Sequence, residues 1–449
     1  MKKLTSRRRI NGYACLIGSG GERGLNQHLT KALETMKHRA WTGYHRTVND
    51  TSSRSKVVVG YCLDGEDAGE TAAPIHGNIY YSKNPNTPNE IERLAENPSD
   101  LVAALRDVDG DYTLLFPSEE KVVFARSPLG VKPLFIGRSE GLVGIASEAK
   151  ALRAVGLKAE SVHPGFVYQA SLKGIDRFSI RSVDESGQRL DVGLEEASET
   201  ILRLLRKSVE MRMKGRERRR IAIGFSGGVD SSLLTLLASQ IGDVKLVSVY
   251  TSGSSDEAGV KAAARLLGLE LIEVTLTPKE VAEKMRGIAE LTEKQSAMDV
   301  AIAMAINTSA STARDEGCDC LLLGQLADEL FGGYRRYLRI YSEEGAEATH
   351  KAMMKDTVGA YSANFERDEA AASPYTDLRL PYASLELAEY ALSLNPQLKI
   401  NPENDERKIV LREAALQAGV PKELALKPKK ALQFSSNLQK IISNILPAR

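Results

Sequence analysis

The chain has 449 residues, enough for two or three domains, and its 42% apolar and 27% charged residues are an ordinary balance for a protein with real hydrophobic cores. With 60 Lys and Arg against 59 Asp and Glu, the net charge of +1 offers no footprint of a nucleic-acid or membrane-surface binder. No apolar run is long enough to span a bilayer, the basic start at 1–9 lacks the apolar stretch of a secretory signal, and Cys15, Cys62, Cys318 and Cys320 form neither a disulfide scaffold nor a Cys-x-x-Cys pair, so a cytoplasmic location is expected.

Up to about Ser161 the pattern is short β-runs between Gly, Pro, Asn and Asp turns, at 57–60, 78–81, 112–116, 121–125, 134–136 and 142–146. One amphipathic segment, 27–38, interrupts them. This predicts a layered α+β domain on antiparallel sheets over 1–165, followed by a turn-rich linker over 166–193 and a second domain over 194–449. That domain opens on a helix with Leu194, Ala197, Ile201, Leu204, Leu205 and Val209 on one face. The basic run at 214–220 reads as its solvated C-terminal end. Helices at 233–240 and 257–267, strands at 244–250, 269–276 and 318–323, and helical stretches up to 315 then alternate, which predicts a doubly wound parallel sheet with helices on both faces. From Ala327 onward the chain reads as mainly helical.

The chemistry concentrates at two points. The first is Ser226-Gly227-Gly228-Val229-Asp230-Ser231, between an apolar strand and a helix start. Gly227 and Gly228 let the backbone approach a ligand with its N–H groups aimed at one anion, and the following helix adds its positive end. Ser226 and Ser231 can donate to phosphate oxygens, and Asp230 supplies an oxygen for a hard cation such as magnesium. No Gly-Lys-Ser/Thr occurs, so the loop is not a Walker A motif and suits a pyrophosphate rather than γ-phosphoryl transfer. The glycine cluster at 18–24 misses the dinucleotide fingerprint. The second point is Asp328, at the carboxyl end of strand 318–323, where it can converge with Asp230 on one magnesium–triphosphate.

These residues carry a resemblance. Ser226 to Ser231, with Ala327-Asp328-Glu329-Leu330-Phe331-Gly332-Gly333-Tyr334, resembles the ATP-pyrophosphatase domain of glutamine-dependent asparagine synthetases. Arg379-Leu380-Pro381-Tyr382, the Lys408-x-x-Leu411-Arg412 run and Lys427-Pro428-Lys429 resemble motifs downstream of it. Gly110-Asp111-Tyr112, 125–134 and 146–152 resemble the late part of the family's Ntn-type glutaminase domain. The resemblance implies an AMP- and pyrophosphate-forming amide ligase: a carboxylate, aspartate in the family, attacks the α-phosphorus of Mg-ATP, and ammonia converts the acyl-adenylate to an amide. It implies ATP and Mg²⁺ as cofactors and Asp230 and Asp328 as metal ligands. The ATP and pyrophosphate contacts it implies are Ile223, Gly224, Phe225, Ser226, Gly227, Gly228, Val229, Asp230, Ser231, Val249 and Gly324. Lys429 would neutralise charge on the α-phosphate, with Lys430 as the alternative match. The partners are small molecules, with no nucleic acid and no membrane, and a homodimer is an assembly that the resemblance allows. A related adenylating enzyme with another acceptor, as in β-lactam synthetases, and a non-catalytic nucleotide-binding protein remain the alternatives.

The chain also departs from the family. The glutaminase nucleophile there is an N-terminal cysteine whose α-amino group is the base; the nearest candidate here, Cys15, lies fourteen residues in, and the base would have to be freed by removal of 1–14. His76-Gly77-Asn78 stands for Asn-Gly-Glu, His38-Arg39-Ala40-Trp41-Thr42 for His-Arg-Gly-Pro-Asp, and Tyr61 or Cys62 for the arginine that clamps the glutamine carboxylate. The first domain therefore reads as a relic or a binding module. In the second, Gln325 stands where a glutamate could act as a base, and 299–304 lacks the acceptor-site pattern, so ATP binding is better supported than aspartate binding.

Overall fold

The computed structural model describes residues 9–19, 21–39, 43–49, 56–64, 75–83, 91, 93–118, 120–183, 189–214, 220–252, 254, 257–427 and 437–445. They form two compact units, which meet in sequence at Ser182 and Val183. Among the described residues no helix is long and apolar enough to cross a membrane.

The first unit is built on strand parity. In the strand Arg9–Gly18, Tyr13, Cys15 and Ile17 point into one apolar cluster with Val57, Val59, Leu115, Phe124 and Ile145, while Ala14 and Leu16 join a second cluster with Leu29 and Leu33 of the helix Glu22–Thr35. The alternation is that of a strand buried on both faces. A third cluster sets Tyr112, Leu114 and Phe116 against Leu101 and Leu105 of the helix Pro98–Leu105. The layers thus run helix, sheet, sheet, helix. The ladders are antiparallel except where Ile10 pairs with His76 in parallel register and joins the two halves.

This architecture corrects three sequence expectations. The strands Arg9–Gly18 and Gly43–Asn49 belong to the sheet; the first carries no clean alternation of apolar and polar residues, because a strand covered on both faces has no polar side to show. Residues 166–193 are not simply a linker. Phe166–Ser171 pairs with Lys121–Arg126 and then forms a hairpin with Ile175–Ser179, so the sheet extends beyond residue 165.

The second unit contains five parallel strands in the order Leu271–Leu276, Asp243–Thr251, Arg220–Gly224, Cys320–Leu322, Asp377–Arg379. Ile221, Ala222 and Ile223 are consecutive and fully buried, which requires cover on both faces of the central strand. The helices Val229–Ser239 and Ala297–Asp315 both pack on it. The fifth strand, Asp377–Arg379, lies in a region that the sequence pattern assigns to helices. Three residues are too few to set up a readable period. Arg379 donates to Asp377 Oδ2 at 2.9 Å and to the Arg212 carbonyl, while Ser208 donates to the Pro381 carbonyl at 2.6 Å, so the helix Leu194–Met213 is tied to this edge.

Gly77 has φ of +109°, and a Cβ there would stand 2.0 Å from the Asp111 carbonyl oxygen. Gly77→Ala should destabilise the first unit by more than about 1 kcal/mol. Denaturant titration of the full chain, followed with a probe in that unit, checks this.

Candidate active site

The order of the second sheet reverses between Arg220–Gly224 and Cys320–Leu322: the chain first winds toward Leu271–Leu276, then crosses to the other side. The crevice beyond the carboxyl ends of these two strands is the switch point of an open α/β sheet, where ligands bind. The residue pairs singled out in the sequence meet there.

On one arm, Phe225 N–H donates to the Val247 carbonyl at 2.8 Å, and the Ser248 hydroxyl donates to the Phe225 carbonyl, which carries the pairing one residue past the strand. The chain then turns at Gly227, φ +64°, into the helix Val229–Ser239. A Cβ at 227 would lie 3.0 Å from that of Ala263. Ser226 N–H donates to Ser231 Oγ at 3.3 Å, the two hydroxyls are 3.1 Å apart, and the Ser231 hydroxyl is 3.2 Å from the Gly228 carbonyl that it can donate to. The serines therefore brace the loop through its own hydrogen bonds. Ile223 and Val249 are buried in the strands beneath it.

On the other arm the chain passes Gly324 and a left-handed Leu326, φ +78°, into the helix Ala327–Phe331, which carries Asp328. The arms are close: a Cβ at Gly324 would stand 3.2 Å from the Asp230 Cβ. Between them lies Lys408, buried, whose Nζ pairs with Asp230 Oδ2 and lies 2.5 Å from Asp328 Oδ1. Burial works against its charge, but the Asp230 and Asp328 carboxylates outweigh it and hold the ammonium above the ordinary lysine range. Lys408 takes a left-handed conformation, φ +60°, that a lysine adopts only under constraint. Gly333 is required beside it, since a Cβ there would meet Asp328 Oδ1 at 1.9 Å and Lys408 Cε at 2.5 Å. Arg407 donates to the Gly333 carbonyl at 3.0 Å, and the Tyr382 hydroxyl donates to the Asp230 carbonyl at 3.0 Å.

Two hard carboxylate donors suit Mg²⁺, which takes one or two carboxylates and completes its shell with phosphate oxygens and water. Asp230 Oδ1 is buried and has no hydrogen-bond partner among the described residues, so it is available as a ligand. No cluster of three or more protein metal ligands occurs among the described residues.

Comparison with known proteins decides the family. A profile described as Asparagine synthase matches residues 200–446. The chain belongs to the asparagine synthase family. It is 30% identical over 396 residues to the putative glutamine-hydrolyzing asparagine synthetase 1 of Methanocaldococcus jannaschii, covering 76% of this chain and 72% of that protein. It is 25% identical over 411 residues to the glutamine-hydrolyzing asparagine synthetase of Homo sapiens, covering 82% of this chain and 72% of that one. Similarity to the probable glutamine-hydrolyzing asparagine synthetase of Acanthamoeba polyphaga mimivirus is 25% over 367 residues, 75% of this chain but only 65% of the viral protein.

In this asparagine synthase family chain, contacts made across the fold add residues to the site that their sequence context does not announce. Lys408 is visible beforehand only as the first residue of a motif, yet it joins the two carboxylates. Gln325 donates to Asp368 Oδ2 at 2.6 Å, and Asp368 Oδ1 accepts from Arg367 at 2.8 Å, which in turn reaches Asp299 at 2.7 Å. Burial holds the Asp368 carboxyl above the usual carboxylate range even with Arg367 beside it. Its one signal in the sequence is an Arg-Asp pair in a helix. Glu329 is buried and accepts from Tyr334 at 2.6 Å and Asn364 at 2.9 Å, so it braces the turn that follows Asp328. Lys427 Nζ approaches the Gly227 carbonyl at 3.5 Å. Lys429 and Lys430, like residues 40–42 and the residues before Arg9, lie outside the described residues.

Cys15, the doubtful nucleophile, sits in the middle of a strand, wholly buried in the cluster between the two halves of the sheet, and burial pushes its thiol far above the ordinary range. A strand residue of that parity faces the core, not a site. Tyr61 and Cys62 are likewise buried, and burial pushes the Cys62 thiol up to about 12. Iodoacetamide at pH 8 should leave Cys15 and Cys62 unmodified in the native protein and label both after denaturation, as read by peptide mass spectrometry.

Proposed function

We propose that this chain is an ATP-dependent, AMP- and pyrophosphate-forming amide ligase whose chemistry lies in the second unit, an ATP-pyrophosphatase domain of asparagine-synthetase type. The observation that carries the reading is the convergence of Asp230 and Asp328 on one buried cation at the switch point, next to a serine-braced glycine loop. The loop amides and the Ser226 and Ser231 hydroxyls bind the leaving pyrophosphate, and the two carboxylates hold Mg²⁺. When bound, that metal supplies neutralisation of the triphosphate and its leaving group. Because phosphoryl chemistry is mostly positioning and charge neutralisation, the protein's task is to keep the α-phosphorus open to an attacking carboxylate. Ammonia then displaces AMP from the acyl-adenylate. Aspartate is the acceptor that the family suggests, and Gln325, which stands where the family has a glutamate that could act as a base, is hydrogen-bonded to Asp368 and through it to Arg367.

For the first unit we infer an Ntn-type fold that does not work as a glutaminase. Its cysteine candidate is buried in the core, and the position of the carboxylate clamp holds buried Tyr61 and Cys62. The most direct test incubates the protein with Mg-ATP, ammonium and a panel of amino acids and follows pyrophosphate. The products should be AMP and pyrophosphate; ADP and orthophosphate would sink the assignment. Asp230→Ala and Asp328→Ala should each lower turnover by about 10²-fold or more while the circular dichroism spectrum is retained. Ammonium should support the reaction far better than glutamine in a side-by-side assay, and glutamine hydrolysis that disappears in Cys15→Ala would contradict this view of the first unit.

A further inference from the structure

We propose that Lys408 is an internal counter-ion that keeps free divalent cations out of the Asp230 and Asp328 pair and yields the position only to a cation that arrives with a polyphosphate. The inference rests on the reading of the two carboxylates as ligands of a metal–nucleotide complex. It adds an order of loading, and a residue that enforces it.

The ammonium bonds both carboxylates, and the residue is 1% exposed, so water cannot take over if those bonds are lost. A bare divalent cation entering between the same oxygens would meet a like charge at hydrogen-bond distance. It would also strand the ammonium in the interior without an acceptor. The main chain cannot retreat to relieve this. Lys408 is held in a left-handed conformation, its carbonyl accepts from Arg412 N–H at 2.8 Å, Arg407 anchors the neighbouring Gly333 carbonyl, and Lys408 Cε already fills the space in which a Gly333 Cβ would stand. The side chain can therefore move only toward its tip.

A polyphosphate changes the balance because it brings acceptors of its own. The Ser226 to Ser231 loop opens on the same crevice, so an ammonium that gives up Asp230 and Asp328 oxygens can take up a phosphate oxygen instead, with three N–H donors on a flexible stem. The swap keeps every charge paired: the carboxylates pass from ammonium to metal, and the ammonium passes from carboxylate to phosphate. No comparable exchange exists for a metal that arrives alone.

Equilibrium dialysis of the full-length protein against Mn²⁺, with and without inorganic pyrophosphate, tests the proposal. Wild type should bind Mn²⁺ weakly alone and markedly tighter with pyrophosphate present. Lys408→Met should bind Mn²⁺ alone about 10- to 1000-fold more tightly than wild type, the effect of removing one like charge at close range. Its thermal midpoint should rise with Mn²⁺ while that of wild type stays put. If Lys408→Met does not fold, the wild-type comparison decides, and equal Mn²⁺ affinity with and without pyrophosphate overturns the proposal. Asp328→Asn separates the two levels of the argument. Tight nucleotide-free Mn²⁺ binding by wild type that is lost in Asp328→Asn would refute the counter-ion role and leave the ligand assignment standing. Mn²⁺ binding with pyrophosphate that is untouched by Asp328→Asn would remove the ligand assignment and the proposal together.

Discussion

The ion triad of Asp230, Lys408 and Asp328 is the constraint around which the second unit is organised. Two carboxylates brought to one crevice repel, and the Lys408 ammonium between them offsets that repulsion. A buried lysine without acceptors would itself lose its proton. Each group is tolerable only because the other two are present, so three segments far apart in sequence are locked to one another by charge. Removing one member of a buried ion pair typically costs about 3–5 kcal/mol, much of it from the charge left behind, so the triad shapes the site as well as serving it.

What delivers these groups is the order of the sheet. With Arg220–Gly224 in the centre, the chain winds from that strand toward one edge of the sheet and from Cys320–Leu322 toward the other, and such a reversal opens a gap at the carboxyl edge. The gap is narrow, and glycine sets its width: Gly324 faces the Asp230 side chain, and Gly333 faces Asp328 and Lys408. The two left-handed residues at the site, Leu326 and Lys408, sit where backbone comfort has yielded to the placement of side chains, a pattern common where function dictates geometry.

The loop from Ser226 to Ser231 was legible in the sequence because everything that defines it lies within six residues: apolar strand, two glycines, two hydroxyls and one carboxylate. The alternation of strands and helices from Leu194 to Leu323 was legible for the same local reason. Lys408 was not, because its role depends on a contact made across the fold and its motif says nothing of the partners. The burial of Cys15 is legible only through strand parity, since Tyr13 and Ile17 share its face and that face is core. Asp377–Arg379 escaped because three residues bonded to one neighbour have no period to detect.

The conformation of Lys408 limits how this position can vary. The residues that enter left-handed geometry with least strain are glycine and asparagine, and neither carries a positive charge. Arginine would keep the charge but bring a wide planar fork into a space sized for an ammonium. Backbone ease and charge therefore ask for different side chains at one site, and no other standard amino acid meets both demands. Random substitution here should meet a barrier that neither hydropathy nor helix propensity would foretell, and sequence drift around residue 408 must proceed by changing its neighbours first.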